Sequence, residues 1–224
     1  GNGGVFYIPG QDPIPALKDP KPYDGKWTNF SPSASLKWQV NDDTMVWASY
    51  AEGFKSGGFF GRQANFDCCE PSFEPEFVTN YELGLKKTML DGKLTFNPTV
   101  FFSDYEDKQE SILIPIDLSN VATVVRNAST QEIFGVELEM SYQITEKWFL
   151  RASYGYIDAE YDSYLADITG DQIVTDNSSL IPRNVPENTF GMSTTYTADM
   201  GPGSLQTSLS FRYRDEVEHD PTND

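Results

Sequence analysis

The sequence predicts an all-β fold: a segment of about eight strands from an antiparallel, up-and-down transmembrane β-barrel. Apolar and polar side chains alternate with a period of two through most of the 224 residues, as they do along a strand with one apolar and one polar face. Short turns at 41–43, 90–92, 145–147 and 200–203 alternate strictly with long irregular connections. In an up-and-down sheet this puts every tight turn at one end and every long loop at the other, the arrangement of outer-membrane barrels. The polar faces consist of Ser, Thr, Gly, Asn, Gln, Glu and Arg in nearly every strand, which suits a water-filled or plugged lumen.

In chain order, residues 1–26 carry several prolines, glycines and aspartates without periodicity and are expected to form an extracellular loop. They show neither a basic start nor an apolar h-region, so either the protein is not exported or its true N-terminus lies elsewhere. The first strand follows, with Ala34, Leu36, Trp38 and Val40 alternating with Ser33, Ser35, Lys37 and Gln39 before the Asn41-Asp42-Asp43 turn. In the second, Val46, Ala48 and Tyr50 form one face and Trp47, Ser49, Ala51 and Gly53 the other, until Gly57-Gly58 ends the pattern. A first long connection then runs to Pro75.

Residues 76–104 read as one long hairpin. Phe77, Tyr81, Leu83, Leu85 and Met89 oppose Asn80, Glu82, Gly84, Lys86 and Thr88; Asp91-Gly92 turns the chain; Leu94, Phe96, Val100 and Phe102 then oppose Thr95, Asn97, Thr99 and Ser103. An Asp-Gly pair tolerates positive φ at both turn positions and is the strongest short-range hairpin signal. Each arm is about twice the usual strand length of roughly 5–6 residues, and closer to the ~9–11 tilted residues that cross a bilayer.

Residues 107–125 lose the alternation and are expected to be a second long connection, although their Ile/Val content suggests some strand. Phe134, Val136, Leu138, Met140 and Tyr142 then alternate with Gly135, Glu137, Glu139, Ser141 and Gln143. Beyond the 145–147 turn, Trp148, Leu150, Ala152, Tyr154 and Tyr156 alternate with Phe149, Arg151, Ser153 and Gly155. A third connection, 161–187, is rich in Asp, Asn, Gly and Ser. The last hairpin sets Phe190, Met192, Tyr196 and Ala198 against Leu205, Leu209, Phe211 and Tyr213 across Met200-Gly201-Pro202-Gly203. Trp38, Tyr50, Tyr81, Trp148, Tyr154 and Tyr213 are candidates for the interfacial aromatic girdles.

The net charge of −18 argues against nucleic acid, since nothing would neutralise phosphates. No apolar run is long enough for a membrane helix. The two cysteines, Cys68 and Cys69, have no His or further Cys near them in sequence; a vicinal disulfide, pairing elsewhere or free loop thiols all remain open. Nothing marks an enzyme: the one histidine, His219, has no nucleophile or metal partner in sequence, and the acidic residues lack calcium-loop spacing. No cofactor or metal site is expected. The alternatives to a barrel segment are a soluble β-sandwich and a small closed barrel, passive or adhesin-like.

Several stretches resemble the barrel of TonB-dependent outer-membrane receptors, the importers of iron chelates and related nutrients. They are FSPSASLKWQVNDDTMVWASYAEGFKSGGF, PEFVTNYELGLKK, DGKLTFNPTVFFSDYEDKQ, RNAST with IFGVELE, ASYGYIDAEY and IPRNVPENTF. The resemblance implies a 22-stranded barrel around a plug domain, of which residues 27–217 would supply about eight strands from the second half, with 218–224 starting a further loop and the plug absent. It implies a bacterial outer-membrane location, an iron-siderophore or similar scarce nutrient as ligand, lipid around the wall, and an inner-membrane energy-coupling protein acting through the plug.

Candidate ligand contacts are ranked by position at the loop end of the polar faces: the charged or hydroxyl-bearing Glu52, Lys55, Arg62, Tyr105, Arg126 and Arg214. Cations there would hold an anionic chelate, and Phe54, Phe59, Phe60, Tyr161 or Tyr164 would stack on its aromatic groups. Each has an ordinary solvated loop residue as its alternative, and Lys55 with Glu52 equally suggests an interstrand ion pair.

Overall fold

The computed structural model describes residues 24–59, 72–115, 121–169, 173–220 and 222, with backbone only at 113–115 and 121–123. The strands are β1 (Ser33–Asn41), β2 (Thr44–Lys55), β3 (Gly58–Phe59), β4 (Ser72–Phe73), β5 (Glu76–Met89), β6 (Leu94–Pro115), β7 (Val121–Thr145), β8 (Trp148–Ala166), β9 (Thr175–Asp176), β10 (Asn188–Met200) and β11 (Gly203–Arg214). Eight of them form one antiparallel sheet in the order β1-β2-β5-β6-β7-β8-β10-β11, with β9 attached to β8, while β3 and β4 pair separately. Sequential neighbours pair throughout, as an up-and-down wall requires.

The turns follow their chemistry. Asp91 (φ 54°) and Gly92 (φ 85°) are the central residues of the first long hairpin's turn, closed by the Lys93 N–H on the Leu90 carbonyl at 3.2 Å; positive φ at both is the type I′ signature. At the last hairpin Gly201 has φ 63° and Pro202 is held negative by its ring, the type II′ combination.

Sheet register assembles the two faces. On one, Leu36, Ala48, Leu83, Val100, Val136 and Tyr156 lie side by side across six strands. Among the described residues much of this face is open: Leu36 is 73% and Leu83 53% exposed, and Leu209 on β11 is 64%. Among the described residues the buried apolar ones are Ile112, Val124, Tyr161, Tyr164, Ala166 and Ile168, all at the loop end. A soluble sandwich would bury this apolar face, so the arrangement excludes one and leaves lipid as its solvent. The other face is polar and internally bonded: Ser49 Oγ donates to Glu82 at 2.9 Å, Asn80 Nδ2 to Glu82 at 3.0 Å, and Ser103 Oγ to Asn80 Oδ1 at 2.7 Å.

On the apolar face two consecutive rows mark the outer limit of the hydrocarbon. Tyr50, Tyr81, Phe102 and Phe134 are in register across four strands, with Asp158 continuing that row on β8, and the next row toward the loops is Glu52, Thr79, Asp104, Glu132 and Glu160. Carboxylates at hydrocarbon depth are costly, so the boundary lies on the turn side of that second row. On β6 this leaves roughly nine residues, Leu94 to Phe102, for the crossing, within the ~9–11 expected. At the opposite end Trp38, Trp148 and Tyr196 form the lower girdle; Trp148 Nε1 donates to Thr194 Oγ1 at 2.6 Å.

The structure extends three strands beyond the sequence expectation. Residues 107–125 are mostly strand, because β6 and β7 run 22 and 25 residues. The connection expected from 161 starts later, since β8 continues to Ala166. Alternation disappears there because bulges interrupt the register, between Tyr105 and Lys108, between Lys108 and Gln109, and between Thr130 and Gln131, and each inserted residue exchanges the two faces.

On the polar face aromatic rings lie over glycines of the neighbouring strand: Trp47 over Gly84 and Phe101 over Gly135. A Cβ at Gly135 would stand far inside contact distance of the Phe101 ring. Gly135→Val is therefore expected to cost about 1–3 kcal/mol by overpacking, read as a lowered melting temperature of the detergent-solubilised full-length receptor by circular dichroism; an unchanged temperature would contradict the packing.

Candidate ligand-binding site

Above the membrane, β6, β7 and β8 continue as a tall extension. Beyond Asp104, β6 runs roughly 11 more residues, or ~35 Å at the usual rise. The bulges decide what its inner face carries. On β8, Gln131 opposes Tyr161 while Thr130 opposes Ser163, so Asp162 is the inserted residue and Tyr161 and Tyr164 come to the same face. Their rings sit 4.8 Å apart. On β6, Asp107 takes φ 51°, and Lys108, Glu110 and Ile112 align with Ser129, Arg126 and Val124 of β7.

Glu110 is the centre of this face. It is 5% exposed and pairs with Lys108 and, at 3.4 Å, with Arg183 Nη2. Ser129 Oγ lies 3.4 Å and the Tyr161 hydroxyl 3.5 Å from Oε1. Lys108 also sits over the Tyr161 ring, 5.5 Å from its centroid. Two cations answer one buried carboxylate, which is how a buried charge is tolerated. Tyr164 is 2% exposed and, among the described residues, its hydroxyl has no hydrogen-bond partner. Burial, reinforced by the Glu110 charge, raises the pKa of both phenols above the ordinary tyrosine value.

Arg183 belongs to the connection after β9, which folds back over the extension. Its root is fixed by Asn177, whose N–H donates to the Tyr164 carbonyl at 2.7 Å and whose Nδ2 reaches the Ala166 and Thr175 carbonyls at 3.0 Å. Leu180 packs on the buried cluster. The stem of the first long connection is tied to the same extension by two amides. Asn127 exchanges hydrogen bonds with the Glu74 backbone at 2.8 and 2.9 Å, and Gln109 Nε2 donates to the Ser56 and Glu74 carbonyls at 3.1 and 3.0 Å. The β6–β7 extension is thus the post to which two external loops are attached.

Residues 9–224 match the family model described as TonB dependent receptor-like, beta-barrel. The chain belongs to the TonB-dependent receptor family. Among curated relatives, the metal-pseudopaline receptor CntO of Pseudomonas aeruginosa is 28% identical over 166 residues, covering 74% of this chain and 20% of that protein. The ferric-pyoverdine BN7/BN8 receptor of Pseudomonas putida is 27% identical over 184 residues, 79% of this chain and 20% of its own length. The chain therefore spans about a fifth of the length of these relatives. Among solved structures, the ferric yersiniabactin uptake receptor FyuA from Yersinia pestis superposes with a TM-score of 0.63 at 22% identity, over 85% of this chain and 26% of that one. At that identity the likeness concerns the fold. The TonB-dependent family comprises transport receptors of the bacterial outer membrane, and this chain is a segment of such a receptor's barrel wall.

Within this TonB-dependent wall the sequence-predicted residues separate. Tyr105, Arg126 and Arg214 lie on the polar face at its loop end, opposite Gln131, Glu110 and Thr189 respectively. Tyr161 and Tyr164 are on that face too, buried against each other. Glu52 and Phe54 are on the apolar face instead, because they share the parity of Tyr50; Glu52 accepts the Tyr50 hydroxyl. Lys55 pairs with Glu76 at 3.4 Å and not with Glu52, since Glu76 is its cross-strand neighbour. Phe59 packs on Trp27, ring centroids 5.6 Å apart. Phe60, Arg62, Cys68 and Cys69 lie outside the described residues. Glu110, Lys108 and Arg183 escaped sequence reasoning because bulges and a loop bring them together; the clue was the Ile/Val-rich stretch around Glu110.

Raised phenol pKa values fix a sign. Below about pH 10, the ordinary tyrosine value, Tyr161 and Tyr164 are neutral folded or unfolded and their contribution is intact. As pH rises further the unfolded phenols ionise first, and stability falls until the folded ones ionise. In an alkaline titration of the full-length receptor followed at 295 nm, a Tyr161→Phe/Tyr164→Phe variant is expected to lose two tyrosines from the late-ionising fraction; a variant with the same late fraction would contradict the assignment.

Proposed function

We propose that the receptor containing this segment imports a scarce metal chelate of the iron-siderophore class across the outer membrane. Residues 27–217 form wall, and the segment starting at 218 opens a further loop. Energy would come from an inner-membrane protein acting on a plug domain that fills the barrel. The chain's own residues bind and exclude; nothing in them calls for catalysis.

One observation supports this most directly. Arg126 and Arg214 are at the loop end of the polar face, and among the described residues neither makes an ion pair. Guanidinium groups left free at the mouth of a water-filled lumen offer forked donors to a ligand rich in carboxylate, catecholate or hydroxamate oxygens. The names of the relatives, receptors for ferric pyoverdines and for metal-pseudopaline, point to the same ligand class. A passive barrel has no corresponding observation in its favour.

Replacing Arg126 or Arg214 by Ala in the full-length receptor is expected to weaken binding of its ferric chelate on the order of tenfold each, ~1.4 kcal/mol. Lys55→Ala, exposed and already paired with Glu76, is expected to change it less than about twofold. Binding would be measured by fluorescence quenching against a panel of ferric hydroxamates and catecholates, beside iron-limited growth of a deletion strain. Wild-type affinity in both arginine variants, or no growth defect with any chelate, would contradict the proposal.

A further inference from the structure

A cleft of about 480 Å³ separates β8 from the connection that returns to β10. Its lining includes Asp158, Ala159, Glu160, Leu180, Val185 and Glu187. It exists because β10 pairs with β8 only as far as Asn188 opposite Tyr156, while β9 takes up the edge again at Leu165. Between those limits, among the described residues, the β8 edge has no strand beside it.

The direction of its main-chain groups is fixed by the bonds at either side. Thr197 N–H donates to the Lys147 carbonyl and Ile157 N–H to the Glu187 carbonyl, both at 2.9 Å. Odd-numbered residues of β8 therefore turn their N–H and C=O toward β10, and Ala159 and Tyr161, before the bulge at Asp162, turn theirs into the cleft. Among the described residues no hydrogen bond joins the main chain of Ala159 or Tyr161 to 178–187. An open strand edge beside a cavity is the requirement for strand addition by an extended peptide.

The lining also carries a pattern of period two. Asp158 and Glu160 project from the outward face and are exposed, with Glu187 at the lower end. Ile157, Ala159 and Tyr161 project from the other face, where Leu180 and Val185 complete an apolar wall. A strand laid on this edge would place alternate side chains beside carboxylates and beside aliphatic groups.

We propose that this cleft is a strand-addition site for an extended peptide in which basic and apolar residues alternate. The peptide pairs with Ala159 and Tyr161 through its main chain, and its basic side chains lie along Asp158, Glu160 and Glu187. The site is separate from the lumenal arginines, so it stands or falls independently of chelate import.

The test uses the full-length receptor in nanodiscs and the capped peptide acetyl-Lys-Val-Lys-Val-Lys-amide, titrated by calorimetry. Saturable binding is expected, weakening as salt rises. Two controls carry the specificity. The same peptide N-methylated at its valines, which loses edge-facing donors, is expected to bind at least tenfold more weakly. Ala159→Pro removes only a cleft-facing N–H, a substitution edge strands tolerate, and is expected to cause a similar loss while chelate binding is kept. Asp158→Asn/Glu160→Gln is expected to reduce affinity and flatten the salt dependence. Absence of saturable binding, as when another segment of the receptor fills the cleft, overturns the proposal; so does equal binding of the N-methylated peptide, which needs no variant to fold.

Discussion

Every feature of this chain depends on one constraint: main-chain N–H and C=O groups that cross hydrocarbon must find partners inside the protein. The six inner long strands satisfy it by pairing with sequential neighbours on both sides, in register over long spans, and among the described residues β1 and β11 are paired on one edge. Once that ladder is in place, each side chain has one of two destinations. One is lipid, where Leu36, Leu83 and Val100 stand exposed. The other is the lumen, where Ser49, Asn80, Glu82 and Ser103 bond to one another. The core of an ordinary domain is absent from the wall because lipid takes its place.

Above the carboxylate row of Glu52, Asp104, Glu132 and Glu160 the constraint changes. Water can satisfy exposed backbone there, so bulges and free edges become tolerable, and the structure uses both. Bulges at Asp107 and Asp162 gather Lys108, Glu110, Tyr161 and Tyr164 on one face; a buried polar cluster forms and fastens Arg183, and with it the returning loop. The strand edge left open between Tyr156 and Leu165 is a second consequence. The wall and the external apparatus thus follow different rules within the same strands, and the change occurs within a residue or two along each.

The legibility of the sequence followed the same division. Where the ladder was regular, period-two alternation identified the eight strands, the four turns and the two faces, and the stretches between them carried the family resemblance. Where bulges intervene, alternation fails: residues 107–125 read as a connection with some strand suggested by its Ile/Val content, although β6 and β7 continue through most of them. Proximity to the loops suggests the polar face for Glu52 and a stacking role for Phe54, whereas parity with Tyr50 puts both on the apolar face. In place of the ion pair suggested for Lys55 with Glu52, Lys55 pairs with Glu76, its cross-strand neighbour, which only register reveals. For Glu110 the Ile/Val-rich stretch around it signals only strand; its importance comes from Arg183, distant in the chain, and from a bulge that no local pattern announces.

The central claim is that one face of this wall meets lipid and the other water, with the boundary on the turn side of the carboxylate row. Single cysteines placed at consecutive positions from 98 to 106 on β6 of the full-length receptor, spin-labelled in bilayers and compared for collision with oxygen and with a water-soluble nickel chelate, test it most directly. The account predicts oxygen-favoured contact at Pro98, Val100 and Phe102 and water-favoured contact at Thr99, Phe101 and Ser103, the alternation ending in water-favoured values from Asp104 onward. A uniform profile, or one with the parity reversed, would contradict it.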